Sequence, residues 1–137
     1  MVEIGKKKED FKIILLGMSQ KSEMFAPFMG NKFKGDYKSS TGVQFFVNTV
    51  EIENFEINLV IWDISSQSEW QQKMNLYGKD GDAAIIIEDN EDKIKTWKDL
   101  VLKFASKDAE IIVLSPNDSV EGVLETLAKK LIKNKYE

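Results

Sequence analysis

The chain of 137 residues contains no cysteine and no histidine. Those two absences exclude more chemistry than any single motif supplies. Without cysteine there is no disulfide framework, no thiolate nucleophile and no prenylated C-terminal cysteine. Without histidine, the commonest general base and the commonest transition-metal ligand go together. Any catalysis has to draw on carboxylates, lysines, hydroxyls, backbone amides or a hard metal ion. Proline is scarce, with two residues in the chain, and no apolar run approaches the ~20 residues that span a bilayer. No signal-peptide pattern precedes the first apolar run. The expectation is a cytoplasmic protein with neither a transmembrane segment nor a lipid-anchor motif.

What is present is ordinary for a globular domain. Hydrophobic residues make up 42% and charged residues 31%, and the length suits one core. A net charge of −4 gives no electrostatic footprint for nucleic acid. Lys6, Lys7 and Lys8 form a small basic cluster, read as part of a flexible, solvated tail over residues 1–10. Residues 11–137 are expected to form one domain.

Periodicity divides that domain. Phe11 to Leu16 is an apolar run closed by Gly17, the pattern of a buried strand. From Lys21 to Phe33, Met24, Phe25, Phe28 and Met29 repeat at helical spacing, with Pro27 delaying the regular helix. Residues 35–42 are polar and read as loop. Val43 to Ile52 and Glu56 to Asp63 are β-branched and aromatic-rich and are joined by Glu53-Asn54-Phe55, so they predict an antiparallel hairpin. A polar segment over 64–73 carries a weak helical pattern in its second half. Asp82 to Glu88 reads as a further strand, residues 91–106 as an amphipathic helix with Ile94, Trp97, Val101 and Phe104 on one face, and Glu110 to Leu114 as the last strand. Val120 to Lys133 closes the chain as a second amphipathic helix. Strands alternating with helices, themselves nearly continuous in apolar residues, imply an α/β fold with a mostly parallel, five-stranded sheet. One strand is antiparallel at the edge, and helices cover both faces.

Three segments in this order carry a family signal: a strand ending in Gly17 that leads to Lys21-Ser22; the loop Tyr37-Lys38-Ser39-Ser40-Thr41-Gly42-Val43; and Ile61-Trp62-Asp63 followed by Ile64-Ser65-Ser66-Gln67. The chain resembles the Ras/Rab-like small GTPases. That family has a phosphate loop ending in Lys-Ser/Thr, a first switch of the form Tyr-x-x-Thr-x-Gly-Val, and Trp-Asp-Thr-Ala-Gly-Gln. The resemblance implies a three-layer Ras-like domain that binds GTP or GDP with Mg2+. Carried over residue by residue, it implies nucleotide contacts at Gly17, Ser19, Gln20, Lys21, Ser22, Ser66 and Asn117. It implies magnesium ligands at Ser22, Ser40 and Asp63, and a water-orienting glutamine at Gln67.

The departures from the family pattern are specific. Only Met18, Ser19 and Gln20 separate Gly17 from Lys21, two residues fewer than a phosphate-encircling nest requires, and the second glycine is missing. Ser66 replaces a glycine whose N–H meets the terminal phosphate. After the last strand, where the family reads guanine with Asn-Lys-x-Asp, the chain has Asn117, Asp118, Ser119 and Val120. Asn117-Asp118 reads equally as a turn and helix cap. A strand-helix unit of about 25–30 residues is missing before the final helix, judged against the resemblance. Two functions therefore follow. One is a pseudo-GTPase or weak nucleotide binder that acts as an interaction module, with Tyr37, Phe45 and Trp70 on its switch-equivalent surface and a protein as its partner. The other is a minimal triphosphatase with relaxed base preference. The cofactor is GTP or GDP with Mg2+, or none.

Overall fold

The computed structural model describes residues 6–17, 24–25, 43–64 and 79–137, with side chains from Phe46 onward in the third span. Strand β1 (Lys7–Gly17) is followed by the hairpin of β2 (Val43–Ile52) and β3 (Phe55–Ile64). Then come β4 (Ala83–Ile87), helix α1 (Glu91–Phe104), β5 (Glu110–Leu114) and helix α2 (Val123–Tyr136). The strands form one sheet in the order β2-β3-β1-β4-β5. β2 and β3 pair antiparallel and all other neighbours are parallel, as the alternation of strands and helices implies.

Side-chain alternation along the strands divides the core in two. Ile13 and Leu15 of β1, Leu59 and Ile61 of β3, and Ile85 and Ile87 of β4 face one side, where Leu124, Leu127 and Leu131 of α2 cover them. Met24 and Phe25 pack into the same layer. Ile14, Leu16, Ile64, Ala84 and Ile86 face the other side, covered by Trp97, Leu100 and Val101 of α1. β1 and β4 are buried on both faces in their shared stretch, which is why both read as continuous apolar runs rather than alternating ones.

The helix ends follow from local chemistry. Asn90 caps α1, its side-chain oxygen accepting from the Lys93 N–H at 3.0 Å. Glu91 and Asp92 occupy the positive end of the helix and Lys103 the negative end. The final helix begins at Val123, three residues later than its sequence pattern predicts, and runs to Tyr136. Gly122, at φ 78°, turns the chain into it without a side-chain cap.

One expectation is corrected. Residues 7–10 are not tail but the opening of β1, with Lys7 to Asp10 registered against Phe55 to Asn58. β4 joins β1 only from Ile13 onward, so among the described residues the first half of β1 has a strand on one side alone and tolerates charge. Lys6 and Lys8 are paired with Glu51 and Glu56 of the hairpin. Glu9 points inward and receives Lys135 at 2.5 Å together with the Tyr136 hydroxyl, which ties the end of α2 to the start of β1.

Candidate functional site

The parallel strands β1, β3, β4 and β5 all end on the same side of the sheet. The chain crosses from β1 to β3 in one direction and to β4 in the other. In open α/β sheets a reversal of this kind, here at β1, marks the ligand crevice beyond the carboxyl ends of the strands. Gly17, Asp63, Glu88 and the turn after Leu114 lie along this edge.

Gly17 has φ 118° and is registered with Ile87 of β4. A Cβ at this position would stand 2.1 Å from the Ile87 carbonyl oxygen. The glycine is thus required by the approach of β1 to β4 itself. Asp63 lies opposite Leu15, one position before the end of β3. Alternation from Leu59 and Ile61 turns it to the face that Leu15 shares, and it is 7% exposed. Glu88, equally buried, follows β4 on the opposite face, its carboxylate accepting from the Asp89 N–H at 3.2 Å. In the sequence Glu88 is the end of the strand, a carboxylate directly after Ala83 to Ile87.

The segment after β5 folds back on itself. The Ser115 N–H donates to the Asp118 carboxylate at 2.8 Å, and the Asp118 N–H donates to the Ser115 carbonyl at 2.9 Å. Asn117 is exposed on this turn, with its N–H directed at the Ser115 hydroxyl at 3.3 Å. The turn reading of Asn117-Asp118 holds and the cap reading does not, because α2 starts only after Gly122. Val120 is 6% exposed and belongs to the core beneath α2. Leu114 is level with Ile87 and Gly17 across the sheet, two strand spacings or about 10 Å from Gly17.

The structure therefore brings Gly17 and Asp63 to one edge of the sheet, with Asn117 in the turn that follows β5. Ser19, Gln20, Lys21, Ser22, Tyr37, Ser40, Ser66, Gln67 and Trp70 lie outside the described residues, as does the side chain of Phe45, whose backbone sits in β2 opposite Trp62. Among the described residues no three acidic side chains converge to hold a metal ion, so Asp63 would need partners from those other segments. The titrating groups with displaced pKa values lie elsewhere. Hydrogen bonding to Lys135, reinforced by Tyr136, holds the Glu9 carboxyl below its usual range, and Glu9 in turn raises Lys135. Burial pushes Lys12 down, opposed by Asp80 and Asp82, while Lys130 holds Glu110 down. These groups sit toward the amino ends of the strands or on α2, away from the crevice, and serve packing.

Comparison with known proteins agrees with this architecture. The family described as "Ras of Complex, Roc, domain of DAPkinase" matches residues 12–118. The Ras-related protein RABA4b of Arabidopsis thaliana is 28% identical over 124 residues, covering 85% of this chain and 55% of that protein. The Ras-related protein Rab-1 of Theileria annulata is 32% identical over 104 residues, covering 70% of this chain and 47% of its own length. The Ras-related protein Rab11A of Lotus japonicus is 30% identical over 111 residues, covering 76% and 49%. The chain belongs to the Roc/Ras-like small GTPase family. It spans about half the length of the relatives it matches.

The family's nucleotide, tested against the described residues, fits unevenly. Asp63, a buried carboxylate at the carboxyl end of β3, is suited to the magnesium side of such a ligand. On the segment after β5, the Asp118 carboxylate accepts from the Ser115 amide and Val120 is packed in the core.

Proposed function

We propose that this domain is a pseudo-GTPase or weak nucleotide binder that has lost guanine recognition and works as a protein-interaction module. The observation that carries the reading is Val120. A residue that reads a base must present a polar group to the ligand, whereas this one is apolar and packed against the sheet. The Ser115–Asp118 turn supports the same reading, because one oxygen of the Asp118 carboxylate already accepts from the Ser115 amide. The short path from Gly17 to Lys21 adds to it: three intervening residues give too few successive amides to encircle a phosphate. The interaction surface is assigned to the switch-equivalent segments containing Tyr37, Phe45 and Trp70, with a protein as partner. Among the described residues no helix is long and apolar enough to cross a membrane, and the proposed location is the cytoplasm.

The small size is read as the loss of one strand-helix unit. The chain passes from β5 through eight residues directly to α2.

One observation favours a second reading. Asp63 keeps its place at the end of β3, at the sheet edge that Gly17 shares, so a minimal triphosphatase that uses Asp63 with Lys21, Ser22, Ser40 and Gln67 would have its central carboxylate positioned. Binding of mant-GTP and mant-ATP in the presence of Mg2+ separates the two. The pseudo-GTPase reading expects no binding, or weak binding indifferent to the base. Micromolar affinity abolished by Lys21→Ala, with steady phosphate release, would establish the triphosphatase instead.

A further inference from the structure

The outer edge of β5 is the last row of backbone groups in the sheet, and among the described residues no strand pairs with it. Two hydrogen bonds fix which groups it presents. The Glu110 N–H donates to the Asp82 carbonyl at 3.2 Å, and the Leu114 carbonyl accepts from the Glu88 N–H at 2.9 Å. Alternate residues of a strand direct their N–H and C=O to opposite sides. Glu110, Ile112 and Leu114 therefore face β4, while Ile111 and Val113 direct theirs outward.

The side chains of this edge are unusual for one left open. Glu-Ile-Ile-Val-Leu contains no lysine and no proline, the devices that normally blunt a sheet edge. Ile111 and Val113 lie on the face of α1, and Ile112 and Leu114 on the face of α2. Each is only half-buried, whereas the whole of β4 beside them is buried.

We infer that β5 is a self-association edge: a second copy of this chain adds there, antiparallel, to give one continuous sheet through both molecules. The argument for a second copy is self-complementarity. A two-fold axis at Ile112 sets Ile111 opposite Val113 of the second copy, and Val113 opposite its Ile111. Those are the residues whose N–H and C=O point outward, so both pairs form the double hydrogen bonds of an antiparallel ladder. Ile112 meets its own equivalent, and Glu110 meets Leu114. All the direct pairs but the last are β-branched and apolar, and no like charges are opposed. Glu110 keeps its partners, the Lys130 ammonium at 3.0 Å and the Asn134 amide at 2.8 Å, both from α2 of its own chain. The ladder ends after Val113, because the Ser115 N–H, next in the outward series, is already donated to the Asp118 carboxylate.

Sedimentation of the full chain from about 10 μM to about 1 mM, a range that spans weak dissociation constants, tests the inference. The expected mass rises from 15.7 kDa toward twice that value. Val113→Pro removes an outward donor and leaves the bonds to β4 intact, so it should hold the chain at monomer mass at every concentration, with a Tm near that of the dilute parent. Amide exchange of the unaltered chain supplies an independent readout if that variant fails to fold. The Ile111 and Val113 amides should slow as concentration rises, while that of Ile112, already paired with β4, should not change. A monomer throughout, a dimer that survives Val113→Pro, or edge amides indifferent to concentration would overturn the assignment.

Discussion

The Cα of Gly17 sits so close to β4 that any Cβ on it would be 2.1 Å from the carbonyl oxygen of Ile87. In the family a glycine at the end of the first strand is associated with the phosphate loop. Here the sheet alone demands it, and this matters for function: the glycine would persist in a chain that had stopped binding phosphate. Its presence is therefore not evidence of a working loop.

Gly17→Ala should destabilise the domain by at least about 2 kcal/mol, from the backbone clash together with the strained φ of 118°. Urea unfolding measures it. The loss should be the same with and without added nucleotide. A variant as stable as the parent would mean that β1 and β4 can part at this point without penalty.

Glu9 predicts a pH dependence. Its carboxyl is held below its ordinary value of 4.5 by Lys135 and Tyr136, so it titrates at lower pH folded than unfolded. The stability it contributes is then present above the unfolded value and is lost as pH falls through the folded one. Lys135 is raised by the same contact, so its share is present below its ordinary 10.5 and lost above its folded value. Between about pH 5 and pH 10 the gap in stability between the parent and Glu9→Gln should be constant. It should shrink toward zero in stronger acid. Chemical denaturation at a series of pH values reads this directly, and a gap that widens in acid would reverse the sign of the account.

Val120→Asp puts an aspartate at the position that the proposed reading assigns to guanine recognition. Because Val120 is in the core, the change buries a carboxylate and should cost about 2–4 kcal/mol. It should bring no preference for GTP over ATP in a competition assay. A tolerated substitution that gained guanine selectivity would show the position facing a ligand.

The fold was largely legible because packing dictates it. β4 and β5 are bounded in the sequence by the change from polar to continuous apolar residues, and the hairpin by its short link. The structure places Ile52 opposite Phe55 across Glu53 and Asn54, with Glu53 taking φ 51°. What misled was charge. Lys7 to Asp10 look like a tail, yet a strand with a neighbour on one side only can carry lysines and still be paired. The start of α2 was displaced for a related reason: Val120 has helical spacing but is held by the core, and Gly122 reverses the backbone before the helix begins. The candidate site was less legible than the fold. A motif specifies residue types, and whether a residue such as Asp118 meets a ligand or its own Ser115 depends on a turn that no motif encodes.

The central claim is that base recognition is gone and that anything still bound is held through phosphate. Thermal shift in Mg2+ with GTP, ATP and inorganic tripolyphosphate at matched millimolar concentrations tests it most directly, because any ligand that favours the folded state raises Tm in proportion to its affinity. The account predicts either no shift with any of the three or equal small shifts with all of them. A large rise with GTP alone would contradict it.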